Sequence, residues 1–211
     1  LPVGTYSGKI VDPNGCSLTN PNVKVSEPAP FLATIPSALS VCPGTTGGSI
    51  DVTDISGGTA PYSVYVDGAT ASAVSNGNST ISGLKKGVYS ITVKDNNECS
   101  VTGKLTVTEY DKPEVTIAGA ASVCEGSSVT LVANPNAGAA PTVIYSWVKS
   151  NSAPTDDAFS VFNAGATQTV SAPSNWNDKT DYSETWYVKV KDGHGCISDA
   201  TSATATIMKS P

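Results

Sequence analysis

The sequence predicts an all-β chain of tandem, disulfide-stapled β-sandwich repeats in an extended array. Three observations carry this. The 211 residues include 19 Gly and 14 Pro but only 14% charged side chains, and Gly and Pro punctuate strands built from Val, Thr and Ile. No apolar pattern at helical spacing runs over 11 residues. The third observation is internal repetition: Gly4-Thr-Tyr-Ser-Gly-Lys-Ile-Val-Asp-Pro-Asn-Gly-Cys16, Gly87-Val-Tyr-Ser-Ile-Thr-Val-Lys-Asp-Asn-Asn-Glu-Cys99 and Glu184-Thr-Trp-Tyr-Val-Lys-Val-Lys-Asp-Gly-His-Gly-Cys196 align on their cysteines.

The alignment brings Tyr6, Tyr89 and Trp186 into register, then Ile10, Val93 and Val190, then Asp12, Asp95 and Asp192. Tyr89, Ile91 and Val93 alternate with Ser90, Thr92 and Lys94, so each copy predicts a strand with one apolar face, followed by a turn and a second strand. Asp12-Pro-Asn-Gly, Asp95-Asn-Asn-Glu and Asp192-Gly-His-Gly hold the residues that cap turns or accept positive φ. A second recurrence, Ser40-Val-Cys42-Pro-Gly and Ser122-Val-Cys124-Glu-Gly, precedes the strand candidates 49–52 and 128–132.

Each full repeat thus holds one cysteine near its start and one at its last hairpin. The expected disulfides are Cys42–Cys99 and Cys124–Cys196, with Cys16 unpaired. Each should contribute about 4 kcal/mol in the chain-entropy description. Recurring cysteines beside turns, rather than in metal-type clusters, point to an oxidising compartment.

Val25-Ser-Glu-Pro28-Ala-Pro30 and Val107-Thr-Glu-Tyr-Asp-Lys-Pro113 are stops between domains, since proline cannot donate to a ladder. The expected division is 1–29, the C-terminal part of a truncated repeat; 30–112, a complete repeat; and 113–211, a longer sandwich domain. Short Pro-bearing links predict a semi-rigid array. In the third domain, 129–133, 144–148, 169–170 and 186–191 are strand candidates. Residues 1–29 are expected to pack on the next domain.

All 12 basic residues are Lys and the net charge is −6, so the forked guanidinium that grips phosphates is missing and nucleic acid is not an expected partner. No apolar run is long enough to span a membrane. The start has no signal-peptide layout, so targeting signals are expected elsewhere in a longer protein.

The sole histidine, His194, lies in a Gly-His-Gly turn and reads as a polar turn residue; no convergent catalytic cluster can be named, and no enzyme is expected. Asp95, Asn97 and Glu98 are hard oxygen donors that suggest calcium, with Asp12, Asn14, Asp51, Asp54 and Asp67 as further donors. A plain hairpin turn explains the same residues of the turns without a metal, and no other cofactor is expected. Trp176, among turn formers, is the candidate for stacking on a sugar, against the commoner core role. Asn78-Ser-Thr80 reads as a polar loop, and Lys85 and Lys86 as a solvated face.

Gly57-Gly-Thr-Ala-Pro-Tyr62, then Ile81-Ser-Gly-Leu84 and Gly87-Val-Tyr-Ser-Ile-Thr-Val-Lys-Asp through Cys99, resemble the SprB repeat of giant cell-surface adhesins of gliding Bacteroidetes. The resemblance covers 39–108, with 4–28 similar to the end of another copy. Residues 115–207 resemble the Ig-like or PKD-like domains that accompany such repeats, with Trp147 in the place of a core tryptophan. Glu98 departs from the pattern, where the other copies have Gly15 and Gly195.

The resemblance implies type IX secretion, an outer-membrane cell-surface location, and stalk and adhesion modules serving attachment or gliding. The implied partner is a substratum or extracellular polysaccharide, with motility machinery reached only through other parts of the protein. Carbohydrate-binding accessory domains of a secreted hydrolase are the alternative. Binding specificity is expected in the divergent stretch 141–179.

Overall fold

A computed structural model describes the chain except residues 28, 68, 75–76, 137–139, 141, 177–179 and 211, together with the side chains of 21, 69, 70 and 71–74. Pro28 of the first link, and the ends of the divergent stretch at Pro141 and Lys179, therefore lie outside the described residues. The chain divides into two compact units, Leu1–Leu39 with Ser49–Val107 and Ser40–Gly48 with Thr108–Pro211.

β1 (Gly4–Val11) and β2 (Ser17–Val25) form an antiparallel ribbon of two strands that joins no other sheet. There follow β3 (Leu32–Thr34), β4 (Ala38–Val41), β5 (Gly48–Ser56), β6 (Tyr62–Val66), β7 (Ala69–Val74), β8 (Gly77–Leu84), β9 (Gly87–Lys94) and β10 (Ser100–Glu109). They make two sheets, β3-β5-β8 and β4-β10-β9-β6-β7, in the two-layer manner of immunoglobulin-type sandwiches. Alternation decides which side chains go inward: Val52, Val64, Ile91, Val93 and Leu105 are wholly buried, each burial stabilising the fold by roughly 2 kcal/mol. In β5 the buried set passes from Val52 to Ile55 across Asp54, whose φ of 57° marks a bulge that resets the period.

The second unit adds β11 (Val115–Ala118), β12 (Ser122–Cys124), β13 (Ser128–Pro135), β14 (Ile144–Lys149), a single 3-10 turn at Asp156–Phe159, β15 (Thr167–Ser171), β16 (Tyr182–Lys191) and β17 (Thr201–Met208). Its sheets are β11-β13-β15 and β12-β17-β16-β14, the same strand plan as the preceding sandwich, with no counterpart of β7 among the described residues. Every strand candidate in 113–211 falls within one of these strands. Two apolar clusters fill it, Val115, Ala133, Val188 and Val190, and Val129, Leu131, Val170 and Ala205. The half-buried Trp147 packs against both and its Nε1 donates to the Gly165 carbonyl at 3.0 Å.

The β1–β2 ribbon departs from expectation. Instead of packing its apolar residues, it leaves Ile10 73% and Leu18 72% exposed. Strand pairing needs only the turn and the ladder, but burial needs a second sheet, and among the described residues none covers this face.

Candidate functional site: the capped turn, its cysteines and a cleft

The repeated motif is one turn built three times. Asp12 Oδ1 accepts the amides of Asn14 at 2.9 Å and Cys16 at 2.8 Å. Asp95 Oδ1 accepts those of Asn97 at 2.9 Å and Cys99 at 2.8 Å, and Asp192 Oδ1 those of His194 at 3.0 Å and Cys196 at 2.9 Å. In each, the aspartate amide also donates to the cysteine carbonyl, closing a three-residue hairpin loop whose last residue is left-handed. That residue is Gly15 (φ 84°), Glu98 (φ 66°) or Gly195 (φ 87°). Glu98 occupies a conformation a side chain resists, and its carboxylate meets the Lys94 ammonium at 2.6 Å.

The middle copy is tied down further. Asp95 Oδ2 accepts the Thr59 amide at 2.9 Å, and Asn97 Nδ2 donates to Thr59 Oγ1 at 2.8 Å. This explains the Gly-Gly-Thr motif: a Cβ at Gly58 would lie 2.6 Å from Asp95 Oδ2, and one at Gly57 would lie 2.1 Å from the Pro30 carbonyl. Burial pushes the Asp95 carboxyl up, but the amides of Thr59, Cys99 and Asn97 outweigh it and hold the group below the ordinary aspartate value.

These contacts engage the donors named for calcium. Both Asp95 oxygens face N–H donors, Asn97 turns its own amide group to Thr59, and Glu98 is drawn to a lysine. Asp51, Asp54 and Asp67 are apart from one another in their bonding, to Thr80 Oγ1, Thr53 Oγ1 and the Ser90 amide. Among the described residues no group of three or more His, Cys, Asp or Glu could hold a metal.

The disulfide is Cys42–Cys196, with Cα atoms 5.2 Å apart, and Cys16, Cys99 and Cys124 are exposed free thiols. This overturns the expected pairs Cys42–Cys99 and Cys124–Cys196, and strand direction gives the reason. β12 runs parallel to β17, with Cys124 opposite Met208, whereas Cys196 lies before Thr201 at the other end. Seven residues at about 3.3 Å each separate the two by about 23 Å, against the roughly 7 Å limit for a disulfide. The Thr106 amide bonds Ser37 and the Tyr110 amide bonds Val41, so β4 likewise rises along β10 and places Cys42 at the end of β10 away from Cys99. Within one sandwich, the two cysteines of a repeat sit at opposite ends.

In the third copy Trp186 replaces the tyrosine. Tyr6 and Tyr89 hydroxyls donate to the carbonyls of Pro2 (2.6 Å) and Lys85 (2.9 Å), four residues back. Trp186 Nε1 instead donates to Glu184 at 2.9 Å, where the Lys149 ammonium (2.9 Å) and the Tyr182 hydroxyl also converge. Burial raises the Glu184 carboxyl, and the Tyr182, Lys149 and Trp186 donors more than reverse it, leaving the group lowered.

Trp176 is half-buried rather than an open platform. The Lys209 ammonium lies 5.0 Å from its ring centroid and is fixed by Glu125 at 2.5 Å, while the Tyr182 ring stands 6.0 Å away. On that face a sugar would compete with a cation already on the ring. His194 stacks on Tyr110 with centroids 3.9 Å apart.

Sequence reading missed a cleft of about 350 Å³ in the second unit, beside the disulfide and lined by Lys112, Asp156, Phe159, Phe162, Lys189 and Asp199 among others. Lys189 is 8% exposed, pairs with Asp156 and lies 5.3 Å from the Phe159 ring centroid; Lys112 pairs with Asp199 at 2.6 Å. Asp156, Phe159 and Phe162 come from the divergent stretch. A lysine at an alternating strand position gave no signal of burial, because its partner arrives from a loop 33 residues upstream.

No family model matches the chain, and no curated protein matches it. Solved structures that the chain matches include the fibronectin(III)-like modules of Clostridium thermocellum CbhA, at 12% identity and a TM-score of 0.37 over 84% of this chain and 95% of that one. Murine CEACAM1b gives 13% and 0.33 over 84% and 100%. Sidekick-1 immunoglobulin domains 1–4 give 12% and 0.33 over 100% and 59%. Likeness at this level says nothing of function, and the all-β sandwich assignment stands on strand topology.

Proposed function

We propose that the chain is a non-enzymatic segment of a secreted cell-surface adhesin, its repeats serving as stalk and adhesion modules in attachment or gliding. The observation that carries this reading is the thrice-built capped turn together with the Gly-Gly-Thr loop it clasps, the part of the sequence that resembles SprB repeats. Division at about Pro30 and Pro113, type IX secretion, an outer-membrane surface location and a substratum or polysaccharide partner belong to the same proposal. Weak contacts spread over many linked copies would supply adhesion that no single module has.

Antibodies raised to this chain should label intact cells of the source organism, and cells lacking the gene should attach or glide poorly. Labelling that requires permeabilised cells, or unchanged attachment and movement on deletion, overturns the reading.

A further inference from the structure

The cysteines fall into two classes by local structure. Cys42 and Cys124 each follow Ser-Val at the end of a short edge strand and open the same tight turn. The Thr45 amide donates to the Cys42 carbonyl at 3.4 Å and the Ser127 amide to that of Cys124 at 3.1 Å, across Gly44 (φ 74°) and Gly126 (φ 84°). Cys16, Cys99 and Cys196 each close the aspartate-capped turn, with amide-to-carboxylate distances alike to 0.1 Å. The disulfide that forms takes one cysteine of each class, and takes them from successive sequence repeats.

We propose that this is the pairing rule of the whole array: a Ser-Val-Cys cysteine bonds the turn cysteine of a different repeat and never its own. Cys124 is then a half-staple awaiting a turn cysteine, and Cys16 and Cys99 are half-staples awaiting a Ser-Val-Cys, all supplied by another copy of this repeat chemistry. Three facts converge on this. Pairing within a repeat is closed by the length of the last strand, as derived above. Both backbone frames that carry the formed bond recur around the free thiols. Those three thiols are all exposed, as an intermolecular bond requires.

Bond formation is thiol–disulfide exchange with a low-molecular-weight disulfide as oxidant. One cysteine thiolate attacks it, releasing one small thiol and forming a mixed disulfide. The second cysteine thiolate displaces the other small thiol. Two cysteines are oxidised, one small disulfide is reduced to two thiols, and the cysteine protons end on the released thiols.

The test uses the full chain at high concentration in a glutathione redox buffer, alkylated and digested with trypsin without reduction. Lys24, Lys94, Lys104 and Lys191 place all five cysteines on separate peptides. Expected are covalent oligomers in which Cys124 is linked to Cys16 or Cys99, with Cys42–Cys196 kept throughout. Cys124→Ser should lose these oligomers, and so should the Cys16→Ser/Cys99→Ser double variant, while each retains the Cys42–Cys196 peptide as proof of folding. Overturning results are oligomers joined within a class at chance frequency, recovery of Cys42–Cys99 or Cys124–Cys196 within one chain, or a wild-type chain that stays monomeric with three alkylated thiols.

Discussion

The β1–β2 ribbon and the β9–β10 hairpin share a sequence pattern and a turn, yet they differ in what lies over them. In β9–β10, Val93 and Leu105 are fully buried. Leu105 faces Tyr89 across the ladder as Val23 faces Tyr6, and Val101 faces Val93 as Leu18 faces Ile10. Yet Ile10 and Leu18 are more than two-thirds exposed. The capped turn, the tyrosine bond and the pairing next to the turn survive without a covering sheet, so these are locally encoded, while a bulge between Tyr6 and Gly8 shifts the ribbon's register by one residue. The hydrophobic term is not local: it comes from β3-β5-β8 on the opposite layer.

The largest test of that contrast is truncation of the apolar face. Leu105→Ala should cost about 3 kcal/mol of unfolding free energy by transfer and cavity terms, whereas Leu18→Ala should change it by less than about 0.5 kcal/mol. Denaturant titration of the two variants decides it; a Leu18→Ala cost matching that of Leu105→Ala would mean that the ribbon face is covered in solution.

Next come the two aspartates. Asp12 holds two amides through one oxygen, while Asp95 holds three through two and so ties its turn to the Thr59 loop. Asp95→Ala should lower the denaturation midpoint more than Asp12→Ala does. The folded Asp95 carboxyl titrates below its unfolded value, which is about 3.9, so its contribution is present above that pH and is lost as pH falls through the lower folded value. Asp95→Asn should flatten the acid limb of stability below about pH 4, measured by thermal unfolding across that range; an unchanged acid limb would show that the three amides do not set the group's titration.

What could be read from the sequence was whatever repeats over a few residues. Alternation at Tyr89, Ile91 and Val93 and the Asp-to-Cys spacing specify strands and turns through nearest neighbours, and the structure places them accordingly. The disulfide could not be read this way. It depends on β4 and β12 running parallel to β10 and β17, and edge strands of four and three residues carry no period from which direction follows. Turn donors suited to calcium were equally ambiguous until the Thr59 amide, 36 residues away, took the second Asp95 oxygen. The cleft needed the Asp156–Lys189 encounter, which no local pattern announces.

The smallest effect separates the two turns at a single residue. Glu98 sits at φ 66° where Gly15 sits at φ 84°, and an L side chain there costs about 1 kcal/mol. Against this, Glu98 gains the Lys94 contact, which solvent screens because Glu98 is 74% exposed. Backbone relief should win, so Glu98→Gly should raise stability by up to about 1 kcal/mol, and Gly15→Glu should lower the stability of the ribbon by a similar amount. Hydrogen exchange at the Cys16 and Cys99 amides reads both turns separately, because each amide is held by its aspartate. If Glu98→Gly instead speeds exchange at Cys99, the Lys94 contact outweighs the strain, and the middle turn is held by charge where the first is held by backbone alone.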